Sequence, residues 1–163
     1  MNDHSPHQIR KEQGFLDDYL QFLLATASGL ASHPFHEQVS QTGASVAEWR
    51  VMACLSNMDG QTITELARLA QMEQSRLTRV IERMENRGYV TRERRTDDRR
   101  KVYVWLTEQG GQIAAELVQQ AKIQEAQFLK DHLTPTEALR LKALLSKLIE
   151  SASKETIAAI RRG

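Results

Sequence analysis

QSRLTRVIERMENRGYVTRERRTDDRRKVYVWLT, residues 74–107, decides how this chain is read. Arg76, Arg79, Arg83 and Arg87 recur at steps of three and four. At about 100° per residue they form one stripe on a helix. Leu77, Val80, Ile81 and Met84 form the neighbouring apolar face, suited to docking on a preceding helix through Leu66, Ala67 and Leu69. Gln74, Ser75 and Thr78 lead the helix and suit base edges and phosphates. Gly88 marks the helix end, because the position just past a last turn favours glycine. Two strands follow, with Val102, Val104 and Leu106 alternating against Tyr103 and Trp105. Their turn holds Asp97, Asp98, Arg99, Arg100 and Lys101, whereas a turn built only for geometry favours Asn-Gly or Asp-Gly. A helix fits the major groove of duplex DNA and a basic hairpin tip reaches the minor groove. Arg92 and Lys101 add charge on the strands, and Asp98 can support Arg100 by a charge-assisted hydrogen bond. The competing reading is a solvated face in which Glu82 and Glu85 pair with Arg79, Arg83 or Arg87 along the helix.

Charge agrees with the first reading. The chain of 163 residues has a net charge of only +1. Residues 62–107, however, carry eleven Lys and Arg against seven Asp and Glu, while residues 1–61 carry three against seven. A cationic block in a near-neutral chain suits local phosphate binding and argues against a polycationic nucleic-acid coat.

Outward from this block the pattern is helical. Residues 1–11 are polar and aperiodic, which implies a flexible tail. From Gln13 to Ser32 apolar residues recur at helical spacing, and His33-Pro34 is expected to end that helix. Ser45 with Glu48 and Thr62 with Glu65 read as capping boxes for helices over 46–57 and 63–70. Thr107 is expected to cap a helix to about Asp131. A box at Thr134 and Glu137, with Pro135 at the first helical position, opens another to about Ile160. The fold class is therefore mainly α with a small β-hairpin wing: a winged helix–turn–helix over 45–107, flanked by long helical segments over 12–44 and 108–163. Leu16, Leu20, Leu23, Leu139, Leu144, Leu145 and Leu148 give those flanks apolar stripes. Either a second copy of the chain or an intrachain bundle would cover them.

Thr64-Glu65-Leu66-Ala67, Leu77-Thr78-Arg79, Arg83-Met84-Glu85, Arg87-Gly88-Tyr89-Val90 and Val104-Trp105-Leu106-Thr107-Glu108-Gln109-Gly110 resemble the MarR family of bacterial transcriptional regulators. So does the wing motif, Asp98-x-Arg100 followed by Leu106-Thr107. The resemblance implies an obligate homodimer on a palindromic double-stranded DNA operator. It implies base and phosphate contacts from Ser75, Thr78, Arg79 and Arg83, and a minor-groove contact from Arg99 or Arg100. It also implies a small effector held between the dimerisation helices and the winged helix. Tyr19, Phe22, Leu23, Thr26, His33, His36, Trp49 and Arg50 are residues that can line such a pocket, with plain core as the alternative for the aromatics. Arg50 suits an anion. Glu48-Trp49-Arg50-Val51 is similar to family members that control breakdown of aromatic acids, whose effectors are phenolic or aryl carboxylates or their coenzyme A thioesters.

Other functions find less in the sequence. A redox switch through Cys54 is the alternative regulator, but its neighbours Val51, Met52, Ala53 and Leu55 suit a buried small hydrophobe better. No nucleophile motif, phosphate loop or metal spacing points to an enzyme, cofactor or metal, and His33 and His36 have no third partner in a suitable pattern. One cysteine implies a reducing compartment. The apolar run 19–31 is too short for a membrane span, and the acidic Glu12, Asp17 and Asp18 before it argue against a signal peptide, so a cytoplasmic protein is expected.

Overall fold

The computed structural model describes residues 14–94 and 101–160. The tail expected over 1–11 and the wing-tip residues Asp98, Arg99 and Arg100 lie outside the described residues.

Phe15–Asp18 makes one turn, α1, and the Gly14 amide donates to Asp17 Oδ2 at 2.9 Å. Tyr19 is extended (φ −80°, ψ 110°) and separates α1 from α2, Leu20–Gln41. The break expected at His33-Pro34 does not occur; α2 runs through Pro34. Proline removes one helical hydrogen bond. The turns beyond it are nonetheless held, because Phe35 and Val39 are buried in the core.

Helix α3, Val46–Asn57, opens with the expected reciprocal box. Glu48 N donates to Ser45 Oγ at 3.2 Å and Ser45 N donates to Glu48 Oε2 at 2.7 Å. Strand β1, Gln61–Thr62, was not foreseen: two residues carry no alternation, and only pairing with a distant strand defines it. Helix α4, Ile63–Leu69, is capped one way. Glu65 N donates to Thr62 Oγ1 at 3.2 Å, but the Glu65 carboxylate binds Arg68 instead of returning to the cap. Helix α5, Gln74–Asn86, starts on Glu73, whose side chain accepts from Arg76 N at 3.1 Å.

Gly88 ends α5 as expected. With φ at +72°, it lets its own amide reach Glu85 O at 2.9 Å and the Tyr89 amide reach Met84 O at 2.9 Å. Strands β2, Val90–Arg94, and β3, Val102–Leu106, pair antiparallel from Val90 opposite Leu106 to Arg94 opposite Val102. Gln61 faces Val104, so the sheet has three strands in the order β1-β3-β2. Helix α6, Glu108–His132, is capped by Thr107, and α7, Pro135–Ile160, by the Thr134–Glu137 box.

One core joins these elements. Met52 and Leu55 of α3, Leu66 of α4, Leu77, Val80, Ile81 and Met84 of α5, Val90 and Val104 of the sheet, and Ala114 and Leu117 of α6 are all buried. Leu66 and Ala67 form the seat for α5; Leu69, also expected there, is 40% exposed. The flanks remain largely uncovered: Phe15 is 75% exposed, Leu20 53%, Leu139 72% and Leu144 56%.

Candidate nucleic-acid interface

The apolar face of α5 fixes where its polar face points. Leu77, Val80, Ile81 and Met84 are buried, so Arg76, Arg79 and Arg83 stand exposed on the other side. Among the described residues no hydrogen bond or ion pair holds these three guanidinium groups. The competing pairing with Glu82 and Glu85 along the helix does not form. Glu85 instead binds Arg92 across to β2, with Nε 2.9 Å from Oε2. That contact, through its hydrogen bond first, raises the pKa of Arg92.

Arg87 departs from the stripe. Its Nη1 lies 2.9 Å from Gly43 O and 3.3 Å from each Glu48 carboxylate oxygen. Its Nη2 donates to the Tyr89 hydroxyl at 2.9 Å, and the guanidinium sits 4.6 Å from the Tyr89 ring centroid. Spacing alone placed Arg87 with the other three arginines; the partners that claim it lie up to 44 residues away.

At the head of α5, Thr78 Oγ1 donates to Gln74 O at 3.0 Å, and Ser75 Oγ donates to the Glu73 carboxylate. That hydrogen bond, followed by the one from Arg76 N, holds the Glu73 carboxyl below the usual range. A concavity of about 520 Å³ lies between this helix start, the start of α4 and the strands. Gln74, Thr78, Arg92 and Lys101, all expected at the interface, line it together with Thr62 and Thr64. Sequence reasoning read those two threonines only as a helix start. The concavity combines hydroxyls, an amide and two cations beside a helix N-terminus, which is the chemistry of phosphate binding.

The residues expected at an effector pocket fall into three groups. Trp49 meets Phe35 edge to face, with centroids 5.0 Å apart. It lines a concavity of about 540 Å³ between α3 and α6 with Ala53, Ser56, Val118, Lys122 and Glu125. Lys122 was missed, since it is distant in sequence and nothing local marks it. His36 and Arg50 stand elsewhere and feel each other: burial first, then Arg50, then His33, lowers the His36 pKa. Tyr19 stacks on Phe15 at 4.6 Å; Tyr19, Phe22 and Thr26 are exposed. His33 pairs with Glu37 at 3.3 Å, and no group of three or more metal-ligating side chains occurs among the described residues. Cys54 packs against the core, and burial raises its pKa. Among the described residues no helix is long and apolar enough to cross a membrane.

Fold and site together define a class, the winged helix–turn–helix proteins. Comparison with known proteins narrows it. The MarR family pattern matches residues 45–102. The MarR-family regulator SPO1453 of Silicibacter pomeroyi DSS-3 is 41% identical, with 85% of this chain and 98% of that one covered and a TM-score of 0.77. A cysteine-to-serine variant of Escherichia coli MarR, complexed with operator DNA, is 26% identical, with 79% and 92% covered and a TM-score of 0.70. The transcriptional repressor MdtR of Bacillus subtilis strain 168 is 26% identical over 127 residues, 78% of this chain and 81% of that protein. This chain belongs to the MarR family of DNA-binding transcriptional regulators.

Proposed function

We propose that the chain is a homodimeric repressor that leaves a palindromic operator when it binds a small aromatic or phenolic acid, or the coenzyme A thioester of one. The observation that carries the DNA half is the exposed set Arg76, Arg79 and Arg83, with no ion pair among the described residues, beside the concavity at Gln74, Thr78, Arg92 and Lys101. In this reading Ser75, Thr78, Arg79 and Arg83 meet bases and phosphates of the major groove. Arg99 and Arg100 reach the minor groove, with Asp98 as their support. The exposed leucines of 12–44 and 108–163 supply the dimer contact. A two-fold dimer sets two copies of α5 about one DNA turn apart, hence the palindrome; the setting for such a regulator is the cytoplasm.

The effector half rests on the Trp49 concavity, where an indole face and the Lys122 ammonium offer stacking and a counter-charge to an aryl carboxylate. Arg50 beside His36 offers a second anchor for the acid. Occupancy would select a dimer geometry whose α5 spacing no longer fits the operator.

Fluorescence anisotropy of the DNA upstream of the gene tests the first half. Arg79→Ala and Arg83→Ala should each weaken binding and lower the slope of log affinity against log salt by about one. Unchanged affinity at fixed salt for Arg79→Ala and Arg100→Ala would refute the contact assignment. Calorimetry with a panel of phenolic and aryl carboxylates and their thioesters tests the second half, and silence across the panel would refute it.

A further inference from the structure

Arg87 has the spacing of a DNA contact but the partners of a fastener. Its guanidinium faces Gly43 O, the Glu48 carboxylate, the Tyr89 hydroxyl and the Tyr89 ring. Glu48 is only 3% exposed, and its Oε2 also accepts from Ser45 N at 2.7 Å and Ser45 Oγ at 2.9 Å. One face of the α5 terminus is thus tied to the loop and cap that begin α3. The residues just past the helix end are tied to the start of α6: Thr107 N donates to Tyr89 O at 3.1 Å and Thr107 Oγ1 donates to Gly88 O at 2.6 Å. Gly110 presses so close to the Tyr89 carbonyl that a Cβ there would lie 1.9 Å from its oxygen. Arg87, Gly88 and Tyr89 are therefore held both by the start of α3 with the loop before it and by the start of α6.

We propose that Glu48 and Arg87 are positioning residues for DNA recognition: the pair, anchored on the buried Glu48 carboxylate, sets the pitch of α5, so operator affinity depends on an acidic side chain that never meets DNA. This rests on the DNA contacts assigned above to the other arginines of α5. It predicts a sign opposite to long-range electrostatics. Glu48→Gln makes the protein one charge more positive, which by itself strengthens DNA binding. Loosening the clasp weakens it. Glutamine can still accept the Ser45 amide and keep the capping box, so the variant removes the charge and the second oxygen that face Arg87 while leaving the cap. Arg87→Lys keeps the charge but loses the planar fork that reaches Gly43, Glu48 and Tyr89 together.

The test titrates the homogeneous full chain, wild type and both variants, against two duplexes of equal length over a range of salt. One contains the segment that wild type protects upstream of its gene; the other is unrelated. The clasp predicts a loss of about tenfold on the protected duplex for each variant, the size of one lost base contact. It also predicts less than about twofold change on the unrelated duplex and an unchanged salt slope. Wild-type affinity for the protected duplex in Arg87→Lys, or tighter binding in Glu48→Gln, overturns the proposal. Equal losses on both duplexes, tracking a lower active fraction and melting temperature, also overturn it, because they mark a purely structural pair. A wild type that does not distinguish the duplexes would instead defeat the functional reading beneath it.

Discussion

Arg92 on β2 holds Glu85 on α5, with its Nε 2.9 Å and its Nη2 2.5 Å from Glu85 Oε2. Both side chains are about one-third exposed, so the pair contributes little to stability, less than about 1 kcal/mol after solvent screening. Its interest lies in the proposed interface: it keeps Arg92, which lines the basic concavity, partnered in the absence of DNA. Glu85→Gln should leave the melting temperature nearly unchanged. It should strengthen binding to any duplex and steepen the salt slope by about one, as Arg92 becomes available. Anisotropy titrations at several salt concentrations check this, and weaker binding would remove Arg92 from the interface.

Two adjacent glycines of α6 should respond in opposite ways. A Cβ on Gly110 would lie 1.9 Å from Tyr89 O, a backbone atom that cannot step aside alone. Gly110→Ala should cost about 3 kcal/mol, the upper range for overpacking. Beyond its own stretch of helix, Gly111 has nothing within 4 Å of where a Cβ would stand, so Gly111→Ala should stabilise by up to about 1 kcal/mol through helix propensity. Urea unfolding of both variants decides it, and equal effects would contradict the close approach at Tyr89.

Cys54 should make a poor peroxide sensor. Burial raises its pKa, so at neutral pH its thiolate fraction falls below that of a free cysteine. Thiol-modification rates followed against pH should show an upshifted midpoint, and peroxide should leave DNA binding intact. Release by peroxide that Cys54→Ser abolishes would restore the redox alternative.

His36 should titrate below its ordinary value of 6.5, because burial, then Arg50, then His33 disfavour the imidazolium. The sign follows from linkage. A depressed folded value means the unfolded chain takes up the proton first. The contribution is complete above pH 6.5 and is lost as pH falls through the folded midpoint. NMR titration of the imidazole should place that midpoint, and Arg50→Gln should move it upward. A midpoint unmoved by Arg50→Gln would separate these two side chains.

Most element boundaries were legible because their causes are local. Ser45 with Glu48 and Thr134 with Glu137 form caps three residues apart, and Gly88 supplies the one backbone angle that ends α5. The period of Leu77, Val80, Ile81 and Met84 selects the buried face, and that choice exposes Arg76, Arg79 and Arg83. These features depend on neighbours within about one helical turn, so the chain carries them without its fold.

Tertiary structure decided what depends on distant partners. Helix α2 continues through Pro34 because burial of Phe35 and Val39 outweighs one absent hydrogen bond. Strand β1 exists because Gln61 and Thr62 meet Val104 and Tyr103 some forty residues on. Lys122 joins Trp49 only where α6 crosses α3. Arg87 shows the division most plainly. Its sequence spacing places it with three solvent-exposed arginines, yet the folded chain brings Gly43, Glu48 and Tyr89 to its guanidinium. A charge goes to the partners that packing puts within reach, and those partners are set by the whole chain.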